Sequence, residues 1–284
     1  MRGDLHQNTL HRCLLVLMGI AFITGCASVD KSRQHAAVPE IRPGILAGYL
    51  ASTALPNSLT LLPPPPAAGS AALALDEEVH RKSLALQGTP RWQVATADAD
   101  LTFPHAAGTF SCALNAPITE QDTPRLYILL RRIRTDASDA TDKAKDTYKR
   151  VRPFVVHKEP TCSPEDEKSL MQNGSYPSGH TTVGWTWALV LSEISPEQTD
   201  AVLARGRAFG ESRPICNVHW QSDVTGGYLT AAATVARLHA DPAFRADVQA
   251  AIDELAAVRS KGRAPTRDCK AEATALADHK SLAP

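Results

Sequence analysis

The chain has 284 residues, of which 43% are hydrophobic and 21% are charged, so it is long enough to bury one large hydrophobic core. Its thirty basic residues balance thirty acidic residues. This balance excludes a general electrostatic attraction to nucleic acid or to an anionic membrane surface. Any site for an anion must therefore be a local cluster of positive charge.

The N-terminus has the pattern of an export signal. Arg2 and Arg12 precede an apolar run from Cys13 to Ile23, which is too short to span a bilayer as a mature helix. The run is followed by Gly25 and Cys26, and Ile23-Thr24-Gly25-Cys26 resembles the lipobox of bacterial lipoproteins. The resemblance implies that residues 1–25 are a lipoprotein signal peptide and that Cys26 carries lipid.

A lipid on Cys26 would make residues 26–45, which are mixed and polar, a flexible tether and the protein's only attachment to a membrane. Ala27 after the cysteine favours, by analogy with lipoproteins, the periplasmic side of the outer membrane of a Gram-negative bacterium. The alternative is a plain secretory peptide cut nearby, which would give a soluble periplasmic protein.

The pattern of the segments that follow is almost entirely helical. A tetraproline run, residues 63–66, predicts an extended strap along the edge of the domain. Helix starts are indicated at Ser70, Thr123-Pro124, Ser195-Pro196 and Asp241-Pro242, where a capping residue or a proline at the first helical position precedes apolar residues at helical spacing.

No convincing alternation of apolar and polar residues indicates a strand. The sequence therefore predicts an all-α, single-domain helical bundle over residues 46–262. The last residues, 263–284, have the composition of a loose C-terminal tail.

Four cysteines lie beyond the export signal and the lipobox, at positions 112, 162, 216 and 269. In an oxidising compartment they predict two disulfides, with three pairings open. Metal binding is the weaker alternative, because no CxxC or HxxxH pair is present. Cys162 and Cys216 lie in segments that flank the candidate site described next, and they are the pair that we favour.

Pro177-Ser178-Gly179-His180 places a hydroxyl, an unhindered backbone amide and an imidazole before an apolar run that extends to Ile194. Ser178 is expected at a helix N-terminus, where unpaired N–H groups attract an anion. By itself the tetrapeptide is more often an ordinary turn with a surface histidine.

Two further clusters bear on this interpretation. Lys145 and Arg152 are seven residues apart, so on one helix they would point to the same side, although alone they indicate a solvated basic face. His219 and Asp223 are four residues apart, so on a helix the carboxylate would accept a hydrogen bond from the ring.

The three clusters occur in the order and spacing of a known signature. Lys145, six residues and Arg152-Pro153 are followed by the Pro-Ser-Gly-His tetrapeptide, and then by Ser212-Arg213, five residues, His219, three residues and Asp223. This pattern is similar to that of the phosphatidic acid phosphatase type 2 (PAP2) superfamily. The longer run, residues 174–181, and the tetraproline run resemble its class A bacterial non-specific acid phosphatases. The resemblance extends from about residue 61 to about residue 240.

The resemblance implies a helical bundle of the acid phosphatase–vanadium haloperoxidase type and a role for each residue of the signature. His219 would be the nucleophile that forms a phosphohistidine, Asp223 would fix its tautomer, and His180 would act as general acid and then base. The remaining positions would bind phosphate: Lys145, Arg152, Ser178, Gly179 and Arg213.

The expected activity is hydrolysis of small phosphate monoesters, with broad specificity, an acid optimum and no metal or other cofactor. The resemblance also makes a homodimer or higher homo-oligomer plausible. Three alternatives use the same residues: a vanadium-dependent haloperoxidase, a phosphatase of lipid phosphates or pyrophosphates at the membrane surface, and a lipoprotein that binds phosphate without catalysis.

Overall fold

The computed structural model describes residues 38–277 and confirms the all-α prediction. The export signal, Cys26 and the first part of the predicted tether lie outside the described residues. The described part of the chain forms these α-helices: α1 (Ser58–Leu61), α2 (Ala71–Leu84), α3 (Pro90–Ala99), α4 (Ser111–Leu114), α5 (Pro124–Asp139), α6 (Asp142–Tyr148), α7 (Pro153–His157), α8 (Glu167–Leu170), α9 (Gly179–Ile194), α10 (Thr199–Ile215), α11 (Gln221–Leu238), α12 (Pro242–Ser260) and α13 (Cys269–Ala277). Short 3₁₀ turns cover His105–Phe110, Pro164–Asp166 and Pro196–Gln198.

Helix α9 is the centre of the bundle and packs mainly against α10, α11 and α5. Two glycines permit the close approach of its neighbours. A Cβ on Gly206 of α10 would lie 2.5 Å from the Cβ of Ala188, and one on Gly227 of α11 would lie 2.9 Å from the carbonyl oxygen of Ser178. The core on the α5 side is closed by Trp187, whose indole N–H donates to the Leu130 carbonyl at 3.0 Å.

This packing determines where the chemistry lies. Helix α9 begins with the Pro-Ser-Gly-His segment, α10 ends with Ser212 and Arg213, and α11 begins just after His219. Because α10 and α11 both pack on α9, the end of α10 and the starts of α9 and α11 meet at one end of the bundle.

Most helix starts agree with the sequence. Ser70 and Asp241 cap α2 and α12, and Pro124 is the first residue of α5. Ser195-Pro196 opens a 3₁₀ turn, and α10 follows from Thr199. The tetraproline run forms no regular helix or strand, and the Tyr176 hydroxyl donates to the Pro63 carbonyl at 2.9 Å.

The predicted tether is wrong in its last residues. Strands β1 (Glu40–Arg42) and β2 (Ile45–Leu46) form a small antiparallel hairpin that the sequence analysis did not anticipate. Arg131 of α5 holds this hairpin through Glu40, at 3.3 Å, and through the carbonyl oxygen of Gly44, at 3.2 Å. The ordered domain therefore begins before residue 46.

The predicted loose tail is also wrong over residues 263–277. Helix α13 is held by a disulfide between Cys269 and Cys112 and by an ion pair between Glu272 and Arg205. The covalent bond and the buried charge partner supply the ordering that composition alone did not indicate. Among residues 38–277, no helix combines the length and the hydropathy needed to cross a bilayer.

Candidate active site

Ser178 is the N-cap of α9, as its position before the apolar run predicts. Its Oγ accepts the Thr181 amide at 3.2 Å, and its own amide donates to the Asp223 carbonyl at 2.9 Å. A Cβ built on the first helical residue, Gly179, would lie 3.8 Å from the Lys145 side chain, an ordinary contact distance. The N-terminus of α9 thus joins the segments that carry Lys145 and Asp223.

Lys145 and Arg152 do not lie on one helix, so helical spacing is not what would bring their side chains to the same side. Helix α6 ends at Tyr148, Lys149 takes a left-handed conformation with φ 44°, and Arg152 is the extended residue before α7. Pro153 is the physical reason, because a proline disfavours the helical conformation of the residue that precedes it.

The two side chains nevertheless converge. Lys145 Nζ donates to the Gly174 carbonyl at 2.7 Å, and an Arg152 nitrogen lies 3.5 Å from the same oxygen. Arg152 also donates to the Val218 carbonyl at 2.9 Å and lies 3.0 Å from Nε2 of His219. A guanidinium only donates, so Nε2 of His219 accepts and carries a lone pair.

The opposite nitrogen of His219 faces Asp223. Nδ1 lies 3.2 Å from Oδ2 of this buried carboxylate, which also accepts the Trp220 amide at 2.9 Å and the Ser175 hydroxyl at 2.6 Å. An ionised carboxylate only accepts, so the proton of the neutral ring resides on Nδ1. The arrangement leaves the lone pair of Nε2 directed toward Arg152.

Arg213 is buried at the end of α10 and has two nitrogens, Nε and Nη1, without a hydrogen-bond partner among the described residues. Its neighbour Ser212 is fixed by a 2.6 Å hydrogen bond to Asp98. Unpaired buried donors are costly, and a bound anion would satisfy them. Burial and the nearby charge of Arg152 lower the pKa of Arg213 to about 9.

His180 points into the same region. Its Nε2 lies 2.9 Å from the Ala99 carbonyl, so this nitrogen donates and Nδ1 of the neutral ring carries the lone pair. Burial, and then the charge of Arg213, hold the pKa of His180 well below its usual range. Burial and the charges of Arg152 and Lys145 have the same effect on the pKa of His219.

Positive charge is in excess at this end of the bundle. Burial, reinforced by Arg152, lowers the pKa of Lys145 to about 7. An anion would relieve this repulsion and raise each lowered pKa. No group of three or more histidine, cysteine or acidic side chains within residues 38–277 is arranged to hold a metal ion.

The sequence analysis did not identify three residues of the site, namely Arg150, Asp76 and Ser175. Arg150 was given no role in the sequence analysis, but it contacts Asp223 Oδ1 at 2.6 Å and Asp76 Oδ2 at 2.7 Å. Asp76 carries no motif signal, since it is the first of three consecutive acidic residues on α2 and nothing in the sequence distinguishes it from the other two. Ser175 lies within the quoted signature segment, so its hydroxyl was visible in the sequence but had no assigned partner.

The favoured disulfide, Cys162 with Cys216, is present, and the second pair is Cys112 with Cys269. Cys216 lies between Arg213 and His219, so the first bond fixes the connection between these two site residues. The Phe154 amide, which donates to the Asn217 carbonyl at 3.3 Å, binds the same connection to α7.

Known proteins are similar in sequence to this chain over most of its length. Residues 127–246 match the PAP2 superfamily. A non-specific acid phosphatase of Providencia stuartii is 46% identical over 212 residues, which are 74% of this chain and 86% of the relative. A non-specific acid phosphatase of Salmonella typhimurium is 44% identical over 200 residues, 70% of this chain and 80% of the relative.

An acid phosphatase of Zymomonas mobilis is 39% identical over 209 residues, which are 74% of this chain and 79% of the relative. The matched region contains the three clusters that meet at the start of α9, and the identity extends well beyond them. The chain therefore belongs to the PAP2 superfamily, with the bacterial non-specific acid phosphatases as its relatives.

Proposed function

We propose that this protein is an acid phosphatase that hydrolyses small phosphate monoesters through a phosphohistidine on His219. The observation that carries the proposal is the state of that ring. Nδ1 is bound to the buried Asp223 carboxylate, while the lone pair of Nε2 faces Arg152. The names of the relatives support the reaction class.

In the first step Nε2 of His219 attacks phosphorus in line with the ester oxygen. The Nε2–P bond forms, the P–O bond to the leaving group breaks, and protonated His180 gives its proton to the departing oxygen. The ring becomes positively charged, and Asp223 stabilises this charge across Nδ1. The phosphoryl group displaces Arg152 from the lone pair that attacks.

In the second step a water molecule attacks the phosphoryl group. Neutral His180 accepts its proton, the Nε2–P bond breaks, and inorganic phosphate leaves. Lys145, Arg152 and Arg213 neutralise the oxygens in both transition states, together with the amide of Gly179 and the N-cap Ser178. All of these groups would bind the phosphoryl group and none would bind the leaving group. We therefore propose broad specificity.

The test is release of phosphate from p-nitrophenyl phosphate between pH 4 and pH 9 in the presence of EDTA. We expect activity on the acid side that is lost by about 10³-fold or more in His219→Ala. His105→Ala is the matched control, because His105 is a half-exposed histidine paired with Asp100 and should leave the rate unchanged.

The intermediate is tested directly by quenching the turning-over enzyme into alkali, where phosphohistidine is stable, and mapping the phosphorylated peptide. Phosphate on the His219 peptide is the expected result. A folded enzyme that is fully active without His219 would refute the mechanism. If no phosphatase activity is present at any pH, vanadate-dependent halide oxidation and hydrolysis of lipid phosphates become the assays of choice.

We also propose that the protein is exported by residues 1–25 and anchored through lipid on Cys26 to the periplasmic side of the outer membrane. Two disulfides in the domain support an oxidising compartment. Membrane fractionation of cells that carry Cys26→Ser tests the anchor, and the variant is expected in the soluble fraction. Homo-oligomer formation stays a prediction, which sedimentation of the purified protein tests.

A further inference from the structure

Two arginines stand at opposite ends of the His219–Asp223 pair. Arg152 faces Nε2 of the histidine at 3.0 Å, while Arg150 contacts Oδ1 of the aspartate at 2.6 Å. Arg150 is nearly buried, with a side chain 10% exposed, and Asp223 is not exposed at all. The segment between α6 and α7 therefore supplies one cation to the reacting nitrogen and a different cation to the carboxylate behind it.

Arg150 is fully engaged in this position. One terminal nitrogen donates to Asp223 and to the Ser222 hydroxyl, each at 2.6 Å, and the other donates to Asp76 at 2.7 Å. The guanidinium also lies 5.3 Å from the centre of the Trp220 ring. If a substrate phosphate binds Lys145 and Arg152, Arg150 can keep all of these contacts.

Asp76 is the outer member of this chain of charges. It comes from α2, which precedes the residues that match the superfamily. Its Oδ1 accepts the Ser222 amide at 2.7 Å, and its Oδ2 accepts the Ser222 hydroxyl at 2.7 Å as well as Arg150. Helix α2 thus fixes both the arginine and the first turn of α11, immediately before Asp223.

We propose that Arg150 and Asp76 are positioning residues for the nucleophile: Arg150 orients Asp223 and compensates part of its charge, and Asp76 holds Arg150 in place and offsets part of its charge. The inference rests on the proposed role of His219 as nucleophile. A buried carboxylate stays ionised when a cation and several hydrogen bonds compensate its charge. Arg150 supplies that cation at Oδ1 of Asp223, while Oδ2 contacts His219.

Other charged groups surround the pair and act in the same way in every variant below. Lys145, Arg152 and Arg213 face His219 from three other segments, and His180 faces it from α9. Tyr176 lies near Asp223. Because all of them remain in place, a change at Arg150 or Asp76 alters one charge only.

The inference predicts opposite shifts for the two residues. Removal of the positive charge in Arg150→Gln favours the protonated ring of His219, so the acid limb of log kcat/KM against pH should move to higher pH by about one unit. Removal of the negative charge in Asp76→Asn should move the limb to lower pH. We expect kcat to fall about 10- to 100-fold in Arg150→Gln, and less in Asp76→Asn.

Arg150→Lys separates charge from geometry. A lysine keeps the positive charge but reaches the two carboxylates less well, so kcat should fall while the acid limb stays near that of the unchanged protein. Arg132→Gln is the control, because Arg132 also holds an aspartate, Asp247, at 3.3 Å and lies on an aromatic ring, Tyr49. It should alter thermal stability without moving the limb.

The measurement is kcat/KM for p-nitrophenyl phosphate from pH 3.5 to pH 9, with the fold of each variant checked by circular dichroism. Titration of the substrate is common to all variants and cancels in the comparison. A folded Arg150→Gln whose acid limb is unmoved overturns the inference, since its lost rate is then structural. If that variant does not fold, a limb unmoved in Asp76→Asn decides against the inference in the same way.

Failure of the proposed function has a different signature. If His219→Ala retains full activity, the mechanism itself fails and the positioning role fails with it. If His219→Ala is inactive and the acid limbs of the Arg150 and Asp76 variants coincide with that of the unchanged protein, only the positioning role is refuted.

Discussion

The two histidines of the site are held by different kinds of partner. His219 is bound to an ionised carboxylate, Asp223, which is supported by a hydroxyl, an amide and an arginine. His180 is bound to one backbone carbonyl, that of Ala99. The first partner carries a full negative charge, and the second is a neutral dipole.

The difference corresponds to the different tasks that we propose for the two rings. A nucleophile needs one fixed tautomer and compensation of the positive charge that develops on it, and a carboxylate provides both. A group that donates a proton and then accepts one must change its protonation state within each cycle. A carbonyl orients such a ring without strongly favouring its charged form.

Asp223→Asn removes the charged partner of His219 and should have the largest effect of the variants discussed here. The amide would present either an oxygen without charge or an N–H group to Nδ1 of His219, and in the second case the proton would move to Nε2. We expect kcat to fall on the order of 10³-fold or more. The loss should be similar for p-nitrophenyl phosphate and for alkyl phosphates, because it concerns the nucleophile. A loss below tenfold would contradict the assigned tautomer.

His180→Ala removes the ring that is held by a neutral carbonyl, and the effect on the rate should depend on the leaving group. An alkoxide needs a proton as it departs, so we expect a loss of roughly 10²- to 10³-fold on alkyl phosphates. p-Nitrophenolate departs without one, and its formation should be slowed much less. Burst kinetics with both substrates checks the expectation, and equal losses on both would remove His180 from the role of general acid.

Lys145→Arg separates the contribution of Lys145 to the pH dependence of the rate from that of His180. As pH rises, His180 loses its proton first, and Lys145, whose pKa is lowered to about 7 by burial, loses its charge next. The reaction needs both groups in their protonated forms, and each deprotonation contributes a slope of −1 to the plot of log kcat/KM against pH. Above pH 7 the slope should therefore be near −2. Arginine keeps its charge, and the slope should become −1. An unchanged slope would show that Lys145 does not titrate in this range.

The sequence indicates the central residues because their chemistry is local. Ser178 caps a helix that its apolar continuation already predicts, and His219 with Asp223 forms a pair four residues apart. That Lys145 and Arg152 do not share one helix is also visible in the sequence, since Pro153 signals a break at the residue before it.

The role of Asp76 could not be predicted from the sequence, for a physical reason. Its contact with Arg150 joins residues 74 positions apart, and its contact with Ser222 joins residues 146 apart. Such pairs depend on how α2 packs on α11, which no local pattern encodes. The hairpin at Glu40 and the helix at Cys269 were missed for the same reason, because both are held by distant partners, Arg131 and Cys112.

The bond between Cys162 and Cys216 lies in the part of the chain that carries both Arg213 and His219. A thiol pair becomes a cystine only where an oxidant is available, and glutathione keeps it reduced in the cytosol. A molecule that folds during synthesis in a reducing cytosol therefore has Arg213 and His219 on a connection secured by noncovalent contacts alone. The final covalent constraint on the active site depends on the compartment in which the chain matures.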